Sequence, residues 1–106
     1  MDHGRAVTKH FLEAENTLEA GYWDDVFREK GYFANYEEPV DTPQTKGRQV
    51  GEFDVLYVNW EDQLALYKEI KTTMGDMYSA GKQIKRAEQF FADTDWEVIG
   101  TTVLER

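Results

Sequence analysis

The sequence predicts an α+β domain in the order α-β-β-β-α-β, a mixed central sheet flanked by helices. Apolar residues recur at helical steps near the start of the chain and again from about Met77 to Phe91. Two runs rich in Val, Leu and Tyr, Phe53 to Trp60 and Leu64 to Thr72, read as adjoining strands. The strand before the second helix and the strand after it then have the arrangement of a parallel pair joined by a right-handed crossover. At 106 residues the chain has room for one domain, residues 1–106.

The first element is helical. Val7, Phe11, Leu18, Tyr22 and Val26 fall at three- and four-residue steps or their multiples, and Leu12, Trp23 and Phe27 widen the stripe. Gly21 either divides this run into two helices or is carried inside one long helix, because the phase continues across it. Gly31 is expected to stop the run as a C-terminal glycine. Tyr32 to Glu37 follows as a short aromatic strand. Glu38 to Gly51 holds both prolines and reads as a flexible loop. Between the next two strands Glu61-Asp62 is a two-residue turn. A second helix covers Met77 to Phe91, with Ala80, Ile84, Ala87 and Phe91 at helical steps, and Trp96 to Val103 closes the sheet.

Composition narrows the classes of function. No apolar run approaches the ~20 residues a bilayer requires. The polar start, Met1 to Arg5, leads into no apolar stretch, so no secretory signal is expected. The expected location is the cytoplasm, or the host cell interior if the chain is viral. Cysteine is absent, which excludes disulfides, thiolate zinc sites and cysteine nucleophiles. The net charge of -9 sits awkwardly with a phosphate-binding role, since such proteins gain affinity by neutralising phosphates. It suits an ordinary acidic protein, or one adapted to a salt-rich cytoplasm such as that of a halophilic archaeon. The basic residues are nevertheless clustered, at Lys46 and Arg48, at Lys68 and Lys71, and at Lys82, Lys85 and Arg86.

Asp54 interrupts an apolar strand, and Glu69 and Lys71 interrupt another. Residues two apart on a strand share a face, so Glu69 and Lys71 point the same way. With Glu61-Asp62 as the turn, Trp60 faces Gln63, and counting back along the ladder sets Asp54 opposite Glu69. Two carboxylates so close repel unless a cation lies between them. Magnesium takes oxygen ligands, often only one or two carboxylates, and a neighbouring lysine orients water or offsets charge in phosphodiester hydrolysis. Glu and Lys alternating on the wet face of a hairpin are also common solubilising pairs.

Gly51-x-x-Asp54 followed by a strand, a turn and Glu69-x-Lys71 resembles the core motif of the PD-(D/E)XK nucleases, whose fold is the restriction-endonuclease-like core. The length and Gly31-Tyr32 resemble most the small archaeal Holliday-junction resolvases and related phage enzymes. Glu52-Phe53 stands where many members have proline before the aspartate. The resemblance implies a metal-dependent DNA endonuclease working as a homodimer, with Mg2+ or Mn2+ as cofactor and branched or duplex DNA as substrate. It implies Asp54, Glu69, Lys71 and a first-helix glutamate as catalytic residues. Glu19 is the first choice for that glutamate, with Glu15 and Glu13 behind it; Asp54, Glu69, Glu19 and Ile70 would hold the metal. Lys46, Arg48, Lys82, Gln83, Lys85 and Arg86 would contact nucleic acid. The alternative is a catalytically inactive nucleic-acid- or protein-binding module of the same fold. His3 and His10, seven apart on a helix, lack the partner ligands of a zinc site.

Overall fold

The computed structural model describes residues 1–34, 37–40 and 47–106. Helix α1 (His3–Thr17) is followed by strands β1 (Asp25–Phe33), β2 (Gln49–Asn59) and β3 (Leu64–Lys71), helix α2 (Met77–Phe91) and strand β4 (Glu97–Leu104). The strands form one mixed sheet in the order β1-β2-β3-β4. β1 and β3 flank β2 antiparallel, and β4 runs parallel to β3 across the α2 crossover. The expected αβββαβ order, the mixed sheet and the flanking helices are all present. Among the described residues no helix is long and apolar enough to cross a membrane.

The helices cover opposite faces of the sheet. Ala6, Val7 and Ala14 of α1 pack on Val55, Tyr57 and Ile70. Ala87 and Phe91 of α2 pack on Phe53, Leu56, Val58, Ala65 and Tyr67. Two glycines let aromatic rings lie flat across neighbouring strands. A Cβ on Gly100 would stand 2.5 Å from Cζ of Tyr67, and one on Gly51 would meet the Tyr32 ring.

The first half of the chain differs from the periodic reading. α1 stops at Thr17, a 3-10 turn carries Leu18–Ala20, and Gly21 ends it with φ 84°, the left-handed conformation glycine adopts freely. Residues 25–33, expected to be mostly helix, are strand. Gly31 is not a helix stop but sits within β1, opposite Glu52. The strand expected over Tyr32 to Glu37 therefore begins earlier and ends at Phe33, and part of that expected span lies outside the described residues. β2 begins at Gln49, inside the stretch expected to be loop.

A kink shared by β1 and β2 explains why β1 hides its alternation. Side chains on one strand should alternate between faces. On β2, Leu56 and Val58 face α2 and Val55 and Tyr57 face α1, yet Phe53 also faces α2. The alternation thus breaks at Asp54. On β1, Phe27 and Tyr32 share the α2 side although five residues apart, and Lys30 Nζ lies 5.6 Å from the Phe27 ring centre. Between them Glu29 takes φ 50°, and the pairing steps from Arg28↔Val55 to Lys30↔Phe53. Both strands reverse phase at the same rung, where Glu29 meets Asp54.

Candidate active site

The β2–β3 register is the one counted from the turn: Asn59 pairs with Leu64 and Val55 with Lys68. The loop itself spans residues 60–63, with Gln63 at φ 48° and its N–H donating to the Trp60 carbonyl at 3.3 Å. One rung beyond Val55↔Lys68 the ladder opens. There Asp54 Oδ2 accepts the Ile70 N–H at 2.8 Å, so a side chain takes the place of the next main-chain bond. Disruption of alternation next to a re-aimed polar side chain is a common device at functional sites.

Asp54 and Glu69 are both buried, at 7% and 4% exposure. Among the described residues no hydrogen bond reaches the Glu69 carboxylate. Burial pushes its pKa up to about 8, with the Asp54 charge adding to the rise, Lys71 opposing it and Glu52 reinforcing it. Glu52 is itself raised, by burial first and then by Glu29 and Asp54, while a Gln49 hydrogen bond and His3 pull it down. Lys71, two residues after Glu69, is the cation that moderates this acidic group.

A cavity of about 40 Å³ opens beside these residues, lined by Tyr32, Gly51, Glu52, Phe53, Tyr67, Glu69, Gln83, Arg86 and Ala87. That volume has room for a water or a small cation. It also divides the basic residues of α2. Gln83 and Arg86 turn toward Glu69, whereas Lys82, Lys85 and Gln89 lie away from the buried stripe of Ala80, Ala87 and Phe91. Arg48 is exposed just before β2, its carbonyl accepting the Ala34 N–H at 2.8 Å. Lys46 lies outside the described residues.

The first-helix glutamates do not join this group. The sheet-facing stripe of α1 is Ala6, Val7, His10 and Ala14, so Glu13 and Glu15 face outward. Glu19 is exposed in the 3-10 turn. The end of α1 that approaches Asp54 is the N-terminal one, and fifteen residues at ~1.5 Å each put Glu19 more than about 20 Å away along the helix. His3 occupies the position instead, with Nε2 3.5 Å from Asp54 Oδ2 and its side chain half-exposed. The seven-residue spacing of His3 and His10, in step with Val7 and Ala14, sets both histidines on the sheet-facing side of α1, His10 buried and His3 exposed.

His10 serves a different purpose. Its Nε2 lies 2.6 Å from Glu105 Oε1 and its Nδ1 3.3 Å from Lys68 Nζ, while Lys9 also reaches Glu105 at 3.1 Å. These bonds lower the Glu105 pKa and fasten the end of β4 to α1.

Among the described residues no group of three or more His, Cys, Asp or Glu side chains is gathered closely enough to hold a metal ion. The donor set nonetheless fits a hard cation that keeps most of its waters, for which one or two carboxylates suffice. The unpartnered buried carboxylate of Glu69 is the part of the site such an ion would satisfy. Compared with protein-family models, with curated proteins and with solved structures, the chain matches none.

Proposed function

We propose that this chain is a magnesium-dependent DNA endonuclease of the resolvase-like kind, with manganese able to replace magnesium. The observation that carries the reading is the buried Glu69 carboxylate, without a hydrogen-bond partner among the described residues, raised to about 8 by burial and by Asp54, with Lys71 two residues away. Such a perturbed group in a cleft is a candidate for a working site. Asp54 and Glu69 would hold the cation, and the Ile70 carbonyl adds an oxygen on the same side as the Ile70 N–H that Asp54 accepts. The cation, when bound, supplies positive charge against the scissile phosphate.

The chain's own residues supply the rest. Lys71 donates hydrogen bonds to the attacking water and to the phosphate oxygen that gains charge. Arg86 and Gln83, on the cavity's far wall, hold the non-bridging phosphate oxygens. His3 steadies Asp54 at Oδ2, the same oxygen that accepts the Ile70 N–H. Glu19 has no part in this reading. A homodimer suits a two-stranded or branched substrate and would cover a thin core.

The absence of a third ligand group among the described residues favours a second reading, a binding module of the same fold that does not cut. Labelled branched and linear DNA, incubated with Mg2+, Mn2+ or EDTA, separates the two. Metal-dependent cleavage that falls by about 10³ or more in Glu69→Ala and Lys71→Ala is the expected result. Full activity in Glu69→Ala, or no cutting under any condition, would sink the nuclease reading.

A further inference from the structure

The outward stripe of α2 carries cations beside an open aromatic ring. In a chain of net charge -9, no acidic residue occurs from Met77 to Ala87. Tyr78, Lys82 and Lys85 follow one another at helical steps of four and three, on the side away from the buried stripe. Tyr78 is 77% exposed, an unusual state for a side chain with so much apolar area, and Met74 shortly before it is 61% exposed. Lys82 Nζ stands 4.8 Å from the Tyr78 ring centre, so a cation attends one face of an aromatic ring that is otherwise open to solvent. Tyr78 is only ~8 Å along the helix axis from Gln83, which lines the Glu69 cavity.

We propose that Tyr78, Lys82 and Lys85 form a track for a single nucleic-acid strand, with Tyr78 stacking on an unpaired base. An exposed ring beside paired lysines is the combination that binds single strands without regard to sequence, because every base offers a flat face and every nucleotide a phosphate. An isolated surface tyrosine alone would need no explanation. The local absence of acids in an otherwise acidic chain is what selects a polyanion as its occupant, in preference to an apolar protein surface. The inference rests on the nuclease reading and sharpens it: the substrate carries an unpaired segment next to the cleavage centre.

The test is fluorescence anisotropy of a labelled oligothymidylate and of a blunt duplex, in EDTA, with the intact chain and its Tyr78→Ala, Tyr78→Phe and Lys85→Ala variants. Tyr78→Ala should weaken oligothymidylate binding about tenfold and duplex binding far less, while Tyr78→Phe keeps the affinity. Lys85→Ala should flatten the salt dependence by roughly 0.7 in log–log slope. No binding by the intact chain, unchanged binding in Tyr78→Ala, or equal loss on both ligands overturns the track. Because binding is read without metal, a chain that grips oligothymidylate through Tyr78 and never cuts keeps this inference and loses the nuclease. One that cuts without dependence on Tyr78 does the reverse.

Discussion

The two ends of the β2–β3 hairpin use the same chemical group in opposite ways. At the closed end the acids around the turn are tied into hydrogen bonds. Asp24 accepts the Trp60 N–H at 2.8 Å, Asp25 accepts the Trp60 indole N–H at 2.7 Å, and Asp62 accepts the Tyr22 hydroxyl at 2.7 Å. Asn59 accepts from the Asp62 N–H and donates to the Tyr22 carbonyl, each at 2.8 Å. These acids are exposed, and no lysine or arginine occurs between His10 and Phe27 or between Ala87 and Glu105. Much of the net charge therefore collects at this end, away from the basic residues of α2. At the open end the ladder parts, Glu69 is buried without a hydrogen bond among the described residues, and its pKa rises to about 8. The closed end spends its carboxylates on structure, and the open end stores one in an unfavourable state. Net charge is thus a poor guide here, because the ends differ more from each other than the whole differs from neutrality.

The sharpest way to break this comparison, short of removing a catalytic group, is at His3. Its imidazole is the contact from α1 to Asp54 at the open end. Partners that orient a metal-binding side chain are typically worth 10–100-fold in metal affinity or activity. His3→Ala should lower cleavage and magnesium affinity by about that factor, read by initial rates and by calorimetric titration, with little change in thermal stability. Unchanged magnesium affinity would show that Asp54 needs only the Ile70 N–H to hold its place.

The contrast between the ends also accounts for what the sequence discloses. The closed end follows local rules: a turn of polar residues between two Val- and Tyr-rich runs, from which the register counts out as Val55 against Lys68. Glu69-x-Lys71 is legible for the same reason, since period two survives along β3. β1 is legible only at its end, because Val26 and Phe27 continue the helical stripe of Leu18, Tyr22 and Trp23 and the kink at Glu29 keeps them from alternating with Tyr32 and Phe33. The position of Asp54 is readable, but its bond to the Ile70 N–H is not, as that depends on both strands reversing phase together. His3 escapes because sequence spacing does not say which end of α1 meets the open end of the hairpin.

A second effect, of intermediate size, concerns pH. A carboxyl with pKa near 4.5 in the unfolded chain and about 8 in the folded one is protonated only in the folded state between those values. The folded state then binds more protons, so stability declines as the pH rises from about 5 to about 8 and levels off above. Even 1 kcal/mol of this penalty moves the Tm by about 4–8 °C in a small domain. Glu69→Gln, which keeps the shape and removes the charge, should flatten the profile, and Mg2+ should restore Tm at pH 8 in the parent chain but not in the variant. A flat profile in the parent would mean that the open end is wetter than its burial indicates.

The smallest effect is expected at the closed end itself. Glu19 is exposed in the 3-10 turn after α1, more than about 20 Å along the helix from His3, and Gly21 directs the chain from there into β1. Glu19→Ala should leave cleavage and magnesium affinity within twofold of the parent and stability within about 0.5 kcal/mol, as is usual for surface changes that break no cap or bond. Removing one charge from the acidic end should, if anything, strengthen binding to DNA slightly at low salt and not at high salt, because exposed charges this distant are screened over a Debye length of about 10 Å. A large loss of activity in Glu19→Ala would require α1 to lie the other way along the sheet, with the acidic end feeding the metal and His3 far from it. Paired rate measurements on Glu19→Ala and His3→Ala therefore fix the direction of α1 over the sheet by function alone.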